Sequence, residues 1–429
     1  MNLDIKTIIV DNPIKVASNI RTKTSISDEE IKKVKAIFDT VVQNRDRALL
    51  DYTLNFDGVR LDSILVRSKE IDDAYKCTSK EQVRALKEIK RRLEVAESVM
   101  INKLKNTNIK IDGTRISKLL KPIESVGCYV PGGKARYPST LIMCVIPAKL
   151  AGVKRISVCS PPTKNGTLDP LTLVAADLCG VDEIYKVGGA QSIAAMAYGT
   201  ETIKSVSKIV GPGGSYVTIA KALASSKVTI DMLAGPTELL VFADEKAHVR
   251  SIVLDLISQA EHSTDACCGL ITSSKKLADR IITELSNIVS EIDKGDIVRK
   301  SLEQKGFIAI CRNKIDAIKF INEFAPEHLQ LLMKDAHNIS KKIESAGLIL
   351  IGEYSPSAAS DYGLGSNHVL PTLAFAKSRA SLSCLDFVKI VNVVESSSMG
   401  LKKIARTIKL LSEAEDLPNH YEAIKERLK

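Results

Sequence analysis

From Ile123 onward the chain repeats one local pattern: a short β-rich run, a turn of small residues, and a helical stretch. The pattern occurs in SVGCYV, RISVCS, EIYKV, KIV and VTIDM, and it returns in ELLVFA, CGLITSS, GFIAICR and GLILIGEY. Strands that alternate with helices of this length favour a mainly parallel sheet covered on both faces. The sequence therefore predicts an α/β fold with at least two such units.

The two ends of the chain are predicted to be helical. Ser27 and Glu30 form a capping box ahead of apolar residues at helical spacing, and a second amphipathic stretch ends before Gly58. The first hundred residues close with a long, highly charged helical pattern, whose charges are most simply a solvated face. After about Asp386 the tail is helix-prone and would form a separate arm.

The composition is that of an ordinary globular protein with more than one domain. A chain of 429 residues exceeds one simple core, and 45% hydrophobic with 26% charged residues is a common balance. No apolar run is long enough for a membrane span, and the N-terminus lacks the features of a signal peptide. Nine cysteines without a CxxC pair predict neither a disulfide framework nor a thiolate zinc site. We therefore expect reduced thiols and a cytoplasmic protein.

The net charge of +10 has three interpretations: nucleic-acid binding, attraction of an anionic dinucleotide, or a lysine-rich solvated surface. Only 4% of the residues are aromatic and tryptophan is absent. Base-stacking platforms are therefore poorly supplied, and we do not expect a nucleic-acid partner.

Three glycine-rich turns follow predicted strands: VPGG at 130–133, VGGAQ at 187–191 and GPGG at 211–214. GPGG opens the helical stretch SYVTIAKALA and would aim free N–H groups at an anion. None of the turns matches GxGxxG or the phosphate-loop pattern, and one alternative is that the glycines only let the strands turn sharply. Three such turns together favour a nucleotide or phosphate ligand at the carboxyl ends of the strands.

Four of the six histidines lie in polar, turn-rich segments with carboxylate or amide neighbours. Gln259 and His262 are three residues apart on one helical face, Asp361 lies in the turn-rich loop DYGLG, and His420 lies in the terminal arm. An oxygen and nitrogen ligand set without thiolate suits Zn²⁺ or Mn²⁺, and nitrogen favours zinc. The alternative is that these residues do not meet, since a lone histidine is more often structural.

Glu327 and His328 place two proton-transfer groups side by side. As adjacent helical residues they would point about 100° apart and address two points of one substrate, as two proton removals require. The alternative interpretation is that Glu327 favours a helix dipole and that His328 is a surface residue.

Six motifs together resemble the histidinol dehydrogenase family: VGGAQSIAAMAYG, GPTELLV, QAEH, FAPEHL, YSPSAASDYGLGSNHVLPT and AEDLPNHYE. The match runs from about residue 25 to the C-terminus. The resemblance implies oxidation of L-histidinol through the aldehyde to L-histidine with two NAD⁺ consumed, the last step of histidine synthesis. It also implies two incomplete Rossmann-like domains related to aldehyde dehydrogenases, with helical N- and C-terminal extensions swapped in a homodimer.

The domain boundaries expected from this resemblance divide the chain into four parts. They are an N-terminal extension at 1–24, a discontinuous main α/β domain at 25–128 with 237–382, a second Rossmann-like domain at 129–236, and a C-terminal arm at 383–429.

The resemblance also implies a role for each site residue. Zinc would template the substrate's imidazole and amine rather than generate hydroxide. His328 would be the base that takes protons as hydride leaves to NAD⁺, and Glu327 would activate the water that hydrates the aldehyde. His420 would reach into the partner's active site, which makes that site intersubunit. The implied zinc ligands are Gln259, His262, Asp361 and His420. These four are also implied to contact the substrate, together with His328, Thr237 and Glu415. The implied NAD contacts are Tyr129, Gln191 and Gly214.

Two positions depart from the family pattern. Gly214 stands where the family usually has asparagine, so the amide expected to bond the cofactor is absent. A neutral hydrogen bond contributes roughly 0.5–1.5 kcal/mol, so we expect weaker NAD⁺ binding rather than loss of activity. Thr237 replaces a serine and keeps its hydroxyl, and the added methyl would narrow the pocket slightly.

Two rival functions are less well supported by the residues. The first is thiol-dependent aldehyde oxidation with Cys267 or Cys268 as nucleophile, although Cys-Cys-Gly before a β-rich run is more typical of buried core. The second is a non-catalytic metal- or nucleic-acid-binding protein that kept the fold, although every implied ligand and both proton-transfer residues are present.

Overall fold

The computed structural model describes residues 3–21, 27–132 and 136–429. Gly133, at the end of the VPGG turn, and the expected boundary of the N-terminal extension lie outside them. Within the described residues, the predicted alternation of strands and helices is confirmed, and the strands form three sheets.

The helices and strands divide into three stretches along the chain. The first contains β1 (Lys6–Val10), α1 (Pro13–Ile20), α2 (Asp28–Asp57), α3 (Ser68–Cys77), α4 (Lys80–Lys103), β2 (Thr107–Ile111) and β3 (Thr114–Pro122). The second contains β4 (Ser125–Tyr129), α5 (Pro138–Leu150), β5 (Arg155–Ser160), α6 (Pro170–Cys179), β6 (Glu183–Lys186), α7 (Gly189–Tyr198), β7 (Lys208–Val210), α8 (Ser215–Ala224) and β8 (Thr229–Ile230). The third contains β9 (Glu238–Ala243), α9 (Val249–Ala260), β10 (Cys267–Thr272), α10 (Lys275–Ile288), α11 (Gly295–Gln304), β11 (Phe307–Cys311), α12 (Lys314–Phe324), β12 (His328–Leu332), α13 (Ala336–Ser340), β13 (Leu348–Ile351), α14 (Ser357–Tyr362), β14 (Val388–Ser396), α15 (Ser398–Ala414) and α16 (Pro418–Glu426), with short 3₁₀ turns at Phe375–Lys377 and Cys384–Phe387.

The second stretch forms a five-stranded parallel sheet in the order β6-β5-β4-β7-β8. Counted by appearance in the chain this order is 3-2-1-4-5, the arrangement of a Rossmann half, and its direction reverses between β4 and β7. Tyr129 and Gly211 lie at the carboxyl ends of these strands. Gly211 has φ +116°, and a Cβ there would lie 2.1 Å from the carbonyl oxygen of Tyr129, so only glycine fits.

The third stretch forms a six-stranded parallel sheet in the order β1-β11-β10-β9-β12-β13. From β9 to β13 it repeats the 3-2-1-4-5 order, and β1 adds one edge strand. Every residue of β4, β9, β10 and β12 is buried, as expected for parallel strands covered by helices on both faces. The prediction of two incomplete Rossmann-like units is therefore confirmed.

The third sheet is antiparallel, in the order β14-β3-β2. Asp112 and Gly113 both have positive φ and close the tight hairpin between β2 and β3. The helical C-terminal tail is confirmed for α15 and α16, but the tail begins with a strand rather than a helix. The alternating β-branched residues of VKIVNVVES pair along the whole length of β3, which accounts for β14.

The N-terminal helices follow the sequence signals closely. The capping box of Ser27 and Glu30 is confirmed at the start of α2, and Gly58 ends that helix in the left-handed conformation. A kink at Arg45 separates the two predicted amphipathic stretches. Among the described residues, every helix is too short or too polar to cross a bilayer.

Candidate active site

Glu327 and His328 lie at the amino end of β12, in the middle of the six-stranded sheet. Their predicted placement in a helix is wrong: His328 pairs in parallel register with Leu239 of β9 and Leu348 of β13. The short run HLQLL therefore fills a central, fully buried strand. Both proton-transfer side chains are buried, and Nδ1 of His328 lies 3.6 Å from Oε2 of Glu327.

Two donors hold the carboxylate of Glu327. Its Oε2 accepts hydrogen bonds from the hydroxyl of Thr237, at 2.6 Å, and from the backbone N–H of Glu238, at 2.7 Å. The backbone N–H of Glu327 in turn donates to Oε2 of Glu238, at 3.3 Å. The acid is therefore fixed at both its backbone and its side chain, which is the preorganisation that a catalytic carboxylate needs.

The imidazole of His328 is oriented by the backbone of β9. Its Nδ1 lies 3.2 Å from the carbonyl oxygen of Glu238, which can only accept, so Nδ1 carries the proton. Its Nε2 is buried without a hydrogen-bond partner among the described residues, 4.0 Å from Oδ1 of Asp361. Burial alone would lower the pKa of His328, but the carboxylates of Glu327 and Asp361 outweigh it and raise the pKa above its usual value. The free nitrogen is thus a strengthened base.

Gln259 joins this cluster from the last turn of α9. Its Nε2 donates to the hydroxyl oxygen of Thr237, and its Oε1 accepts from the hydroxyl of Ser357 at 3.2 Å. Helix α9 ends at Ala260, so His262 lies just beyond the helix instead of on its face, and its side chain is exposed. A chain of hydrogen bonds thus connects Ser357, Gln259, Thr237 and Glu327.

Asp361 lies in α14, which packs against α9. Its carbonyl oxygen accepts from Nδ1 of His368 at 2.9 Å, and Nε2 of His368 accepts from the hydroxyl of Thr140 at 3.1 Å. Burial lowers the pKa of His368, which is consistent with a neutral ring in this tautomer. His368 therefore holds the backbone of the loop at Asp361.

The arm residues do not join the cluster within one chain. His420 lies on α16 and Glu415 directly follows α15, and both side chains are exposed. Within the described part of a single chain, no three His, Cys, Asp or Glu side chains form a group that could hold a metal ion. The cluster does offer the amide oxygen of Gln259 and the carboxylate of Asp361, and the exposed imidazole of His262 follows Gln259 by three residues; these donor types suit zinc.

A small cavity of about 120 Å³ borders Glu327 and Thr237 between the two Rossmann-like units. The five-stranded unit contributes the wall at Gly211 and Asp231, and His368 lines the opposite side. The remaining lining residues are Pro212, Met232, Ala234, Gly235, Val369, Leu370 and Thr372. The carboxyl ends of one parallel sheet therefore face the amino ends of the other across this cavity.

The expected cofactor residues lie at the carboxyl ends of the five-stranded sheet. The hydroxyl of Tyr129 accepts from the backbone N–H of Gly189 at 3.3 Å, and burial raises the pKa of Tyr129 to about 12. Gln191 is buried in the first turn of α7, whereas Gly214 is exposed at the start of α8. An added Cβ at Gly214 meets no atom within 4 Å.

A buried ion pair beneath the GPGG turn was missed by the sequence reasoning. Lys221 pairs with Asp231, and its Nζ also donates to the carbonyl oxygen of Gly211 at 2.8 Å. Asp231 accepts from the backbone N–H of Gly211 at 2.7 Å. The pair fixes both polar groups of the residue at which the turn begins. Its only sequence signal was an acid and a lysine inside apolar runs.

A second missed pair joins Glu238 to Arg21. Glu238 follows Thr237 in the GPTE segment and begins a fully buried strand, so a buried acid there was a usable signal. Burial raises the pKa of Glu238 to about 7, and the guanidinium of Arg21 opposes that shift.

The two adjacent cysteines do not have the properties of reactive thiols. Cys267 and Cys268 are buried in β10, and burial raises the pKa of Cys267 to about 12 and that of Cys268 well above its usual value. A thiolate nucleophile needs the opposite shift. The structure therefore disfavours the thiol-dependent alternative.

Two Rossmann-like units that enclose a buried acid and imidazole define a two-unit α/β enzyme. A sequence profile described as histidinol dehydrogenase matches residues 20–428. A histidinol dehydrogenase from Methanocaldococcus jannaschii is 41% identical over 94% of this chain and 93% of its own length. One from Oceanobacillus iheyensis is 43% identical over 96% of this chain and 95% of its own length. A crystal structure of histidinol dehydrogenase from Elizabethkingia anophelis, 34% identical, superposes with a TM-score of 0.94 over 100% of this chain and 99% of that chain.

The chain belongs to the histidinol dehydrogenase family. The resemblance drawn from the six motifs is thereby confirmed over nearly the whole chain. Membership makes the chain an oxidoreductase and associates it with the final oxidation of histidine biosynthesis.

Proposed function

We propose that the protein catalyses the zinc-dependent, NAD-linked, four-electron oxidation of L-histidinol through L-histidinal to L-histidine. The observation that carries this proposal is the hydrogen-bonded chain from Gln259 through Thr237 to Glu327. It joins an expected metal ligand, a substrate contact and a proton-transfer group in one rigid cluster. Family membership supplies the reaction to which this cluster is suited.

We assign zinc binding to Gln259, His262 and Asp361 of one subunit, completed by His420 of the partner subunit. The burial of Gln259, the packing of α14 on α9 and the position of Asp361 beside His328 support this assignment. When bound, zinc would hold the imidazole and amine of the substrate and so present its alcohol to the base.

His328 is the proposed general base. Its buried Nε2 carries a free lone pair, and the two carboxylates beside the ring stabilise the imidazolium that forms on proton uptake. Glu327 activates the water that hydrates the aldehyde, from a carboxylate that is already oriented by two donors. Glu327 borders the cavity between the units, and His328 lies directly beside it in the buried strand β12.

The proposed NAD site uses Tyr129, Gln191 and Gly214 at the reversal point of the five-stranded sheet. The close approach of Gly211 to Tyr129 and the opening of α8 at Gly214 support it, because ligands of such sheets bind where the strand order reverses.

We propose a homodimer with an intersubunit active site, in which the arm at 383–429 is exchanged and Glu415 contacts the partner's substrate. The arm exposes large apolar side chains on β14 and α15, including Ile390, Val394, Met399 and Leu410. A monomer would leave this surface in water, and exchange would bury it. The domains at 25–128 with 237–382 and at 129–236 would form the body on which the arm lies.

A cytoplasmic location is also proposed. All nine cysteines are free, and eight of them are buried. Unoxidised thiols in this number fit a reducing compartment.

The proposal is tested by counting NADH formed per L-histidinol consumed, before and after treatment with a chelator. We expect two NADH per L-histidinol, loss of activity on chelation, and recovery on adding zinc. A ratio of one, or activity that survives complete metal removal, would contradict the proposal.

A further inference from the structure

Arg21 and Glu238 form an ion pair behind the proposed proton-transfer groups. One guanidinium nitrogen of Arg21, Nη2, lies 3.0 Å from Oε1 and 3.1 Å from Oε2 of Glu238. The same guanidinium stacks over the ring of Phe324, 4.7 Å from its centroid. The side chains of Arg21 and Glu238 are 15% and 6% exposed, so the pair is poorly screened by water.

Glu238 makes a hydrogen bond to each proposed proton-transfer residue and to the backbone beside the cavity. Its backbone N–H donates to Oε2 of Glu327, and its side chain accepts from the backbone N–H of Glu327. Its carbonyl oxygen accepts from Nδ1 of His328. Oε1 of Glu238 also accepts from the N–H of Leu373, at 3.0 Å, next to the cavity-lining Thr372.

We infer that Arg21 and Glu238 are a positioning pair, which holds Glu327 and His328 in their reactive geometry without touching substrate. This inference rests on the proposed roles of Glu327 and His328. It gives a function to two residues that lie outside the implied set of site residues.

The positive charge of Arg21 favours the ionised form of Glu238. In that form the carboxylate accepts from the guanidinium of Arg21 and from the backbone N–H groups of Glu327 and Leu373. Burial is the main cause of a pKa of about 7 at Glu238; the guanidinium of Arg21 lowers this pKa, and the carboxylate of Glu327 raises it. Without the guanidinium the pKa would rise above about 7, and the buried acid would be mostly protonated at neutral pH. One of its oxygens would then become a donor and would repel the N–H groups that it now holds.

The pair also connects catalysis to the N-terminal segment. Arg21 directly follows α1, which packs on α12, and β1 pairs with β11 at the edge of the six-stranded sheet. Residues 6–21 therefore place the guanidinium of Arg21 at the amino ends of β9 and β12. The segment is part of the catalytic framework rather than an independent appendage.

The experiment compares Arg21→Met, Arg21→Lys and Glu238→Gln with the wild-type enzyme. The matched control is Arg312→Met, which breaks an ion pair of 2.8 Å with the buried Asp316 at the opposite end of the same unit. We expect Arg21→Met and Glu238→Gln to lower kcat for L-histidinol at least about tenfold with KM changed less than about threefold. We expect Arg21→Lys to regain part of kcat and the control to remain near wild type.

Amide hydrogen exchange supplies a readout that does not depend on turnover. We expect the Glu327 amide to exchange at least about tenfold faster in Arg21→Met, because its acceptor is lost, while amides of the five-stranded unit keep their rates. If Arg21→Met fails to fold, Glu238→Gln decides by the same two measurements.

Three results would overturn the positioning pair: kcat equal to that of the control variant, unchanged exchange at Glu327, or an effect confined to KM. Failure of the proposed function is a separate result, since wild-type enzyme would then give no NADH from L-histidinol while the exchange measurement still tests the pair.

Discussion

His368 holds the backbone of Asp361 through a hydrogen bond of 2.9 Å from its Nδ1 to the carbonyl oxygen. Thr140, in α5 of the five-stranded unit, donates to the other ring nitrogen at 3.1 Å. A proposed zinc ligand in one Rossmann-like unit is therefore oriented by a hydroxyl from the other unit. We therefore expect the affinity for zinc at the proposed site to depend, through this histidine, on the contact between the two units.

Replacing Thr140 is the direct test of that coupling. Thr140→Val keeps the shape of the side chain and removes the donor to Nε2, so the His368 ring is held at only one of its two nitrogens. We expect zinc affinity to fall about tenfold, because partners behind metal ligands typically contribute that much. The measurement is zinc release to a competing chelator. Thr140→Ser is the control, and equal affinity in the Val and Ser variants would contradict the coupling.

Thr237 connects Gln259 to Glu327, and the family's usual serine offers a natural control. Thr237→Val removes the hydroxyl that donates to the carboxylate at 2.6 Å. Hydrogen bonds to charged groups contribute roughly 1.5–3 kcal/mol, so we expect kcat/KM to fall about 10- to 100-fold. Thr237→Ser should stay within about threefold of wild type. The measurement is kcat/KM for L-histidinol in both variants. A similar loss of kcat/KM in Thr237→Val and Thr237→Ser would contradict a role for the hydroxyl.

Gly214→Asn restores the amide that the family usually has at the start of α8. The site accepts a side chain, since an added Cβ meets no atom within 4 Å and the backbone is not left-handed. We expect NAD⁺ to bind about 2- to 10-fold more tightly, which corresponds to one neutral hydrogen bond. Asparagine also caps helices well, so Gly214→Ala controls for the backbone change alone. Calorimetric titration that finds no tightening in Gly214→Asn would refute the expected cofactor contact.

Asp255, one turn before Gln259 in α9, is expected to make the stability of the protein depend on pH. Burial raises its pKa to about 6, opposed by the hydrogen bond that it accepts from Gln330 at 2.8 Å. Because the folded pKa exceeds the unfolded value near 3.8, the folded state binds more protons between these pH values. Its contribution to stability is present below about pH 4 and is lost as pH rises through about 6.

The free energy of unfolding of Asp255→Asn, minus that of wild type, is therefore expected to be about 2 kcal/mol larger at pH 7.5 than at pH 4. Urea unfolding at several pH values measures the difference in free energy. Asp279→Asn is the control, since Asp279 is an exposed acid in the same unit. A difference between Asp255→Asn and wild type that is the same at both pH values would show that the raised pKa is absent.

Most of the parallel strands could be predicted because each of these begins and ends within a few residues of a clear signal. β12 was missed because the five residues HLQLL after Pro326 are too few to tell a strand from the start of a helix, and pairing between β9 and β13 makes them a strand. β1 pairs with β11 some 300 residues later, a partnership that no local pattern reveals. The hairpin at Asp112 and Gly113 did carry a usable turn signal between alternating residues.

The residues of the candidate site also differ in whether the sequence could predict them. Thr237, Glu327 and His328 lie inside the quoted family motifs, so the resemblance could predict them as site residues. The ion pair of Arg21 with Glu238 could not, because no spacing rule connects residues 217 positions apart. Charged residues inside apolar runs are the only general sequence sign of such buried pairs.

The central claim is that Glu327 of one subunit and His420 of the other serve the same active site. Subunit complementation tests it most directly: purified Glu327→Gln and His420→Ala homodimers, each nearly inactive, are unfolded together and refolded. In a mixed dimer one site receives an intact core from one chain and an intact arm from the other. The account predicts recovery of about one quarter of wild-type activity at equal mixing, since half of the dimers are mixed and each has one intact site. Activity that stays at the level of the separate variants would contradict it.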